Sequence, residues 1–299
     1  MKIFVTGAAG YIGGSIAEKL VASGHEVTGL VRSEEKIPLL KERGINSFAG
    51  TLDDPEILTK AAQAADAVIH AASADHPGSV VTLVTALERS GKLLIHTTGS
   101  AIVADHADGE YAAEAPLTED SYFEPVPYRR PRVDMNRYVR QAAIEKGVRS
   151  VVICPAMIYG TGRGLQPGSD QIPKLIGLSK QVNAGAYFGK GLNRYSNVHI
   201  DDLVDLYLLV MEKAPGGSFF FAENGHNSFK DIAGMISAFL GFGGKTVSLS
   251  VEDVIRQYGE AARLGVASNS FVRAVNARRL GWSPNAPSLA EWFQTLPAA

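Results

Sequence analysis

Residues 2–24 limit what this chain can fold into more than any other stretch. Lys2-Ile3-Phe4-Val5-Thr6 is a short β-branched and aromatic run, the pattern of a buried strand. Gly7-Ala8-Ala9-Gly10-Tyr11-Ile12-Gly13 comes next, then an amphipathic run with Ile16, Ala17, Leu20 and Val21 on one helical stripe and Gly24 at the C-cap position. Three glycines therefore fall on a strand-to-helix turn. Glycine there permits positive φ and close approach of a ligand to the backbone. The helix N-terminus adds unpaired N–H groups and a partial positive charge, which suit a pyrophosphate. The spacing is Gly-x-x-Gly-x-x-Gly, and its strand–turn–helix context predicts a dinucleotide site of the doubly wound α/β type.

A second strand over 25–32 ends in Leu30-Val31-Arg32-Ser33. This is the strand end that meets the adenosine ribose, about 20 residues after the glycines. An acidic residue there would hold a 2′-hydroxyl. Arg32, with Ser33 beside it, can fork onto a 2′-phosphate instead, so NADP is expected over NAD. Further strands are expected at 44–52, 67–72, 92–97 and 150–154, with Asp54-Pro55 opening a helix between two of them. The fourth ends in Ala71-Ala72, small enough to leave room for a ligand, and His70 within it reads as a packed strand residue. The fifth ends in Thr97-Thr98-Gly99-Ser100. Strands alternating with helices predict a parallel sheet.

Residues 104–127 are polar and read as a long surface loop, a candidate lid over the cofactor. Pro127-Tyr128-Arg129-Arg130-Pro131-Arg132 leads a helix reaching Lys146, and Pro131 belongs in its first turn. Arg129, Arg130, Arg132, Arg137 and Arg140 form a basic stretch, either a solvated helix face or a neighbour of an anionic substrate or cofactor phosphate. After Gly160 the chain becomes Gly-rich and less regular. An apolar helix at 203–211 returns to the sheet, Phe229, Ile232, Ile236 and Phe239 mark another helix, and Ser288 to Glu291 is a capping box for a last one. The expected division is 1–160 with 196–225 as the nucleotide-binding unit, and 161–195 with 226–299 as a smaller substrate lobe.

Composition excludes several other classes. Hydrophobic residues make up 45% and charged residues 20% of the 299, with a net charge of −2, giving no electrostatic case for nucleic acid or a membrane surface. A single cysteine, Cys154, rules out a disulfide framework within the chain and suits a reducing compartment. The chain opens on a core strand, so no signal peptide is expected, and no apolar run reaches the ~18 residues of a spanning helix. A cytoplasmic protein, monomeric or homodimeric and acting on a small molecule, is the expectation. No zinc spacing, H-E-x-x-H or G-x-S-x-G occurs. His199, Asp201 and Asp202 read as a buried histidine and helix-start acids.

In their order along the chain, the glycine turn, Ala71-Ala72, Thr97-Thr98-Gly99-Ser100, Tyr128 with its helix, Pro155-Ala156-Met157-Ile158-Tyr159-Gly160 and Val198-His199-Ile200-Asp201-Asp202 resemble the extended or atypical short-chain dehydrogenase/reductases, the epimerase/dehydratase-like branch. The resemblance implies a hydride moved between a nicotinamide and a carbonyl or alcohol carbon. It implies Tyr128 as acid/base, a phenol that needs nearby positive charge to work near neutral pH. It puts Ser100, or alternatively Thr98, on the substrate oxygen. The lysine four residues after the tyrosine is replaced here by Arg132. Gly7, Gly10, Tyr11, Ile12 and Gly13 would hold the pyrophosphate, with Leu52, Ala71, Ala72, Pro155 and Met157 along the adenine and nicotinamide ends. The arginine that holds a sugar-nucleotide diphosphate in this family falls on Tyr195, with Arg194 adjacent. The alternative function is a non-catalytic NADP-binding sensor or regulator on the same fold.

Overall fold

The computed structural model describes residues 1–297. Its strands are β1 Lys2–Thr6, β2 Glu26–Val31, β3 Asn46–Ala49, β4 Ala67–His70, β5 Leu93–Thr97, β6 Arg149–Pro155, β7 Met157–Tyr159, β8 Gly185–Phe188, β9 Arg194–His199, β10 Phe219–Ala222, β11 Gly225–Ser228 and β12 Thr246–Leu249. Seven of them form one sheet in the order β3-β2-β1-β4-β5-β6-β10. Every pairing in it is parallel. The doubly wound parallel sheet expected from the alternation is therefore present. β4 and β5 are buried along their whole length, as strands covered by helices on both faces must be. The strand order reverses at β1, between β2 and β4, and the carboxyl edge there is where such folds place ligands.

The chain leaves the sheet after β6 and builds a second body. β7, β9 and β11 make a three-stranded sheet and β8 pairs with β12. Its core gathers Met157, Tyr159, Phe188, Tyr195, Phe229 and Phe293. The helix Ile200–Lys213 returns to the first body, where Leu203, Leu206, Tyr207 and Val210 join the main core. One boundary differs from the sequence-based division. Val272, Ala274, Ala277 and Trp282 were expected in the lobe but pack into the main core, because the helix Val275–Leu280 lies against β10 and the helix Ile200–Lys213.

The loop 104–127 also departs from expectation, since none of its residues borders the cavity at the glycine turn. It is tied to the other side. Asp105 accepts from the Asn269 backbone N–H at 2.8 Å, and the Glu119 carboxylate accepts from the N–H groups of Phe221, Val275 and Asn276 at 3.1–3.2 Å. Asp202 is equally structural. It accepts from Asn224 at 2.7 Å and from the N–H groups of Asn285 and Ala286 at 2.9 and 3.1 Å, pinning the C-terminal segment. The His199 ring accepts from the Asp201 N–H at 3.2 Å and so caps the helix.

His70 is a packed strand residue, held between Thr6 Oγ1 at 2.7 Å and Ser79 Oγ at 3.1 Å. His96 stacks on it at 5.6 Å, with both ring nitrogens buried and unpartnered. Burial, then mutual repulsion of positive charge, pushes His96 down to about 3, and burial pushes His70 down to about 4. In the unfolded chain both take up a proton near pH 6.5. Between that pH and their folded values the unfolded state binds more protons, so stability rises with pH and is lost on acidification. Urea unfolding from pH 7 to pH 4.5 should show this loss, and His96→Phe should flatten it; an unchanged slope would contradict the assignment. Asp202→Ala should cost about 1–3 kcal/mol in the same assay, because it removes the buried carboxylate that three part-buried donors share.

Candidate active site

The turn after β1 is closed by glycine. Gly7 has φ +78°, and a Cβ there would sit 2.9 Å from the Ala71 carbonyl oxygen. A Cβ on Gly13 would lie 2.4 Å from the Gly7 oxygen. The backbones of turn and helix thus meet at a distance only glycine allows. No side chain caps the helix Tyr11–Ala22, which leaves its first N–H groups facing the edge of the sheet. Tyr11 donates from its hydroxyl to the Gly160 carbonyl at 2.9 Å, and burial keeps that phenol protonated. The turn is thereby fastened to the segment after β7.

A cavity of about 700 Å³ opens over this turn. Gly7, Gly10, Tyr11, Ile12 and Gly13 form its floor, Arg32 and Leu52 one end, and Ala71, Ala72, Thr98 and Pro155 the other. Lys36 stands near Arg32 as a second cation that sequence reading missed. Two expected residues are not brought here. Ser33 does not border the cavity, and Met157 is fully buried in the second core while Ile158 faces the cavity. Successive residues of a strand point to opposite faces, so a one-residue error reverses the assignment. The cavity fits a dinucleotide on two grounds: its glycine cradle would be filled by any Cβ, and the Thr98 hydroxyl on its wall is buried without a partner.

A second cavity, about 640 Å³, joins the first through Gly99, Pro155, Ala156, Asp170 and Gln171. Tyr128 lines it and is 53% exposed. The tyrosine sits on a single tight turn, Pro127–Arg129, that runs directly into the helix Arg130–Glu145, with Pro131 in the first helical turn as expected. Arg132 lines the same cavity, but its charge is already answered. Its Nε donates to Asp75 Oδ1 at 2.7 Å and a second nitrogen donates to the other oxygen of the same carboxylate. That pairing holds the Asp75 carboxyl below the usual range. The cation stacked on the Tyr128 ring is Arg129, 5.1 Å from the centroid.

Ser100 also lines the second cavity, but its hydroxyl is 2.8 Å from that of Ser270, which reaches the Ser100 carbonyl at 2.9 Å. Thr98 keeps its hydroxyl unpaired at the first cavity. Tyr195 borders the second cavity, with Ser100, Ser270 and Gln171 around its hydroxyl, and burial raises its pKa. Arg194 points elsewhere: it stacks over Phe271 at 5.7 Å and reaches the Ala113 carbonyl at 3.4 Å. Among the described residues no His/Cys/Asp/Glu cluster suits a metal. No helix there is long and apolar enough to cross a membrane.

The model of the NAD dependent epimerase/dehydratase family matches residues 3–220. The chain belongs to that family. It is an enzyme of the extended short-chain dehydrogenase/reductase type, built for a nicotinamide cofactor. An uncharacterized protein of Schizosaccharomyces pombe is 32% identical, with 97% of each chain covered. A 4-hydroxy-2-methyl-3-oxo-4-farnesyl-3,4-dihydroquinoline-1-oxide ketoreductase of Stigmatella aurantiaca is 27% identical, covering 75% of this chain and 69% of its own. Among solved structures, a dTDP-glucose 4,6-dehydratase of Streptomyces venezuelae with NAD and TYD bound superposes with a TM-score of 0.78 at 19% identity, covering 97% of this chain and 94% of that one. At that identity the likeness speaks for the fold. Within the family fold, the glycine cradle is the feature most exposed to test. Gly7→Ala must fit a methyl group against Ala71 at positive φ, and should weaken binding of the reduced nicotinamide dinucleotide by tenfold or more in a fluorescence titration; undiminished binding would show that the turn does not carry the cofactor.

Proposed function

We propose that the protein is an NADP(H)-dependent oxidoreductase that reduces a carbonyl group of a small substrate, or runs the reverse oxidation. One observation carries the reading: the cavity over the glycine turn opens, through Gly99, Pro155 and Ala156, into a cavity that holds an exposed tyrosine. A nicotinamide cofactor supplies the hydride when bound. The rest is the work of side chains. Gly7, Gly10 and Gly13 let the backbone donate to the pyrophosphate without steric conflict. Arg32, with Lys36 near it, faces the adenosine end, while Asp170, among the described residues the one carboxylate lining the cavity, lies at the end shared with the second cavity. This favours NADP, although the structural neighbour above was solved with NAD.

Tyr128 donates the proton to the developing alkoxide, and the Arg129 charge above its ring stabilises the phenolate left behind. The unpartnered hydroxyl of Thr98 steadies the reacting end, and Ser100, whose hydroxyl accepts from Ser270, lines the wall beside Tyr128. A sugar-nucleotide substrate is less well served. Arg194, the candidate for its diphosphate, is turned onto Phe271. The farnesyl-quinoline ketoreductase among the relatives agrees with a carbonyl substrate. A non-catalytic NADP sensor would need neither an exposed tyrosine nor a second cavity.

Four substitutions separate these roles. Tyr128→Phe should lower kcat by roughly 100-fold or more and leave the NADPH Kd unchanged. Thr98→Val should slow turnover more than Ser100→Ala. Arg32→Ala should weaken NADPH and spare NADH, read by titrating both. Full activity in Tyr128→Phe, or equal loss of both cofactors in Arg32→Ala, would contradict the respective assignment.

A further inference from the structure

Arg129 is a largely buried arginine that makes no ion pair of its own among the described residues, the nearby Asp75 being paired with Arg132. It is 7% exposed and lines the second cavity beside Tyr128, Ser100 and Tyr195. Its Nε is buried without a partner, and among the described residues it enters no ion pair. The rest of the basic stretch is satisfied. Arg130 pairs with Glu124, Arg132 with Asp75, Arg137 with Asp134, and Arg140 donates to the Gly217 carbonyl at 3.0 Å. Lys174, another cation of the cavity, pairs with Asp170 at 2.7 Å.

A guanidinium stays charged at any pH a protein meets. Burying its Nε without a partner is costly, and stacking on the Tyr128 ring compensates only in part. The nearest acid, Asp75, already spends both oxygens on Arg132. The counter-charge does not come from the cofactor either, because Arg129 borders only the second cavity and the glycine turn and Arg32 lie in the first. What remains is the substrate.

We propose that Arg129 binds an oxyanion, a carboxylate or phosphate, carried by the substrate, and that the enzyme's specificity is for small acidic carbonyl compounds. A guanidinium matches two oxygens of such a group in one plane, which fixes orientation as well as affinity. Its position directly after Tyr128 sets the anion next to the proton donor. The inference rests on the reading of Tyr128 as that donor, and it names what holds the other end of the molecule.

Two pairs of probes test it on the NADPH-loaded protein by calorimetry: acetoacetate against methyl acetoacetate, and dihydroxyacetone phosphate against dihydroxyacetone. At least one acid should bind tenfold or more tighter than its neutral counterpart, and the pair that shows it tells carboxylate from phosphate. Arg129→Met should erase the preference, Arg129→Lys should keep part of it, and NADPH binding should be unaffected in both. Without any probe, Arg129→Met should raise Tm, since it removes a buried Nε that has no partner. No preference in wild type, a preference that survives Arg129→Met, or a lower Tm in that variant would overturn the proposal. Turnover of neutral ketones without an acid preference would remove Arg129 from recognition and leave Tyr128 standing. Acid binding at Arg129 without oxidation of NADPH by any carbonyl would do the reverse.

Discussion

The meeting of Gly13 with the carbonyl of Gly7 is the contact on which the rest of the molecule depends. A Cβ at Gly13 would stand 2.4 Å from that oxygen, so the helix can start this close to β1 only because no side chain intervenes. The closeness aims unpaired N–H groups at the carboxyl edge of the sheet, where strand order reverses. It also sets the reach of the Tyr11 hydroxyl to Gly160, which ties the segment after β7 across the turn. One steric condition thereby links the nucleotide cradle to the start of the second body.

The second determinant is how charge is distributed around Tyr128. Position 132 carries an arginine, and Asp75 takes both faces of its guanidinium fork. Arg129 stays unpaired and lies against the ring. The site therefore keeps a positive charge stacked on its tyrosine. Arg129 lines the cavity that holds Tyr128, where the proposed acid preference has its basis.

Much of this was legible in the sequence where the determining forces are local. The glycine turn, the alternation of strands and helices, the Pro131 helix start and the Ser288 capping box are each set by residues within a few positions of one another, and each is found. Errors gathered where distant parts of the chain decide. The Asp75 to Arg132 pair joins residues far apart in sequence, so nothing near Arg132 announced that its charge was spent. Met157 and Ile158 exchanged faces because strand parity is fixed by a pairing partner, here β9. The loop 104–127 was polar enough to pass for a lid, yet Glu119 ties it to the edge strand β10 and the helix Val275–Leu280. Arg129 was visible within the basic stretch, but a sequence does not say which of five arginines is buried.

The central claim is that a dinucleotide lies along the glycine turn with its nicotinamide in the neck between the two cavities. A crystal structure of the protein grown with NADP+ tests it most directly. The account predicts the pyrophosphate against the backbone of Gly7 to Gly13, the 2′-phosphate within reach of Arg32, and the nicotinamide ring between Gly99 and Pro155 on the side facing Tyr128. A nicotinamide placed away from Tyr128, or a dinucleotide bound anywhere other than the turn, would contradict it.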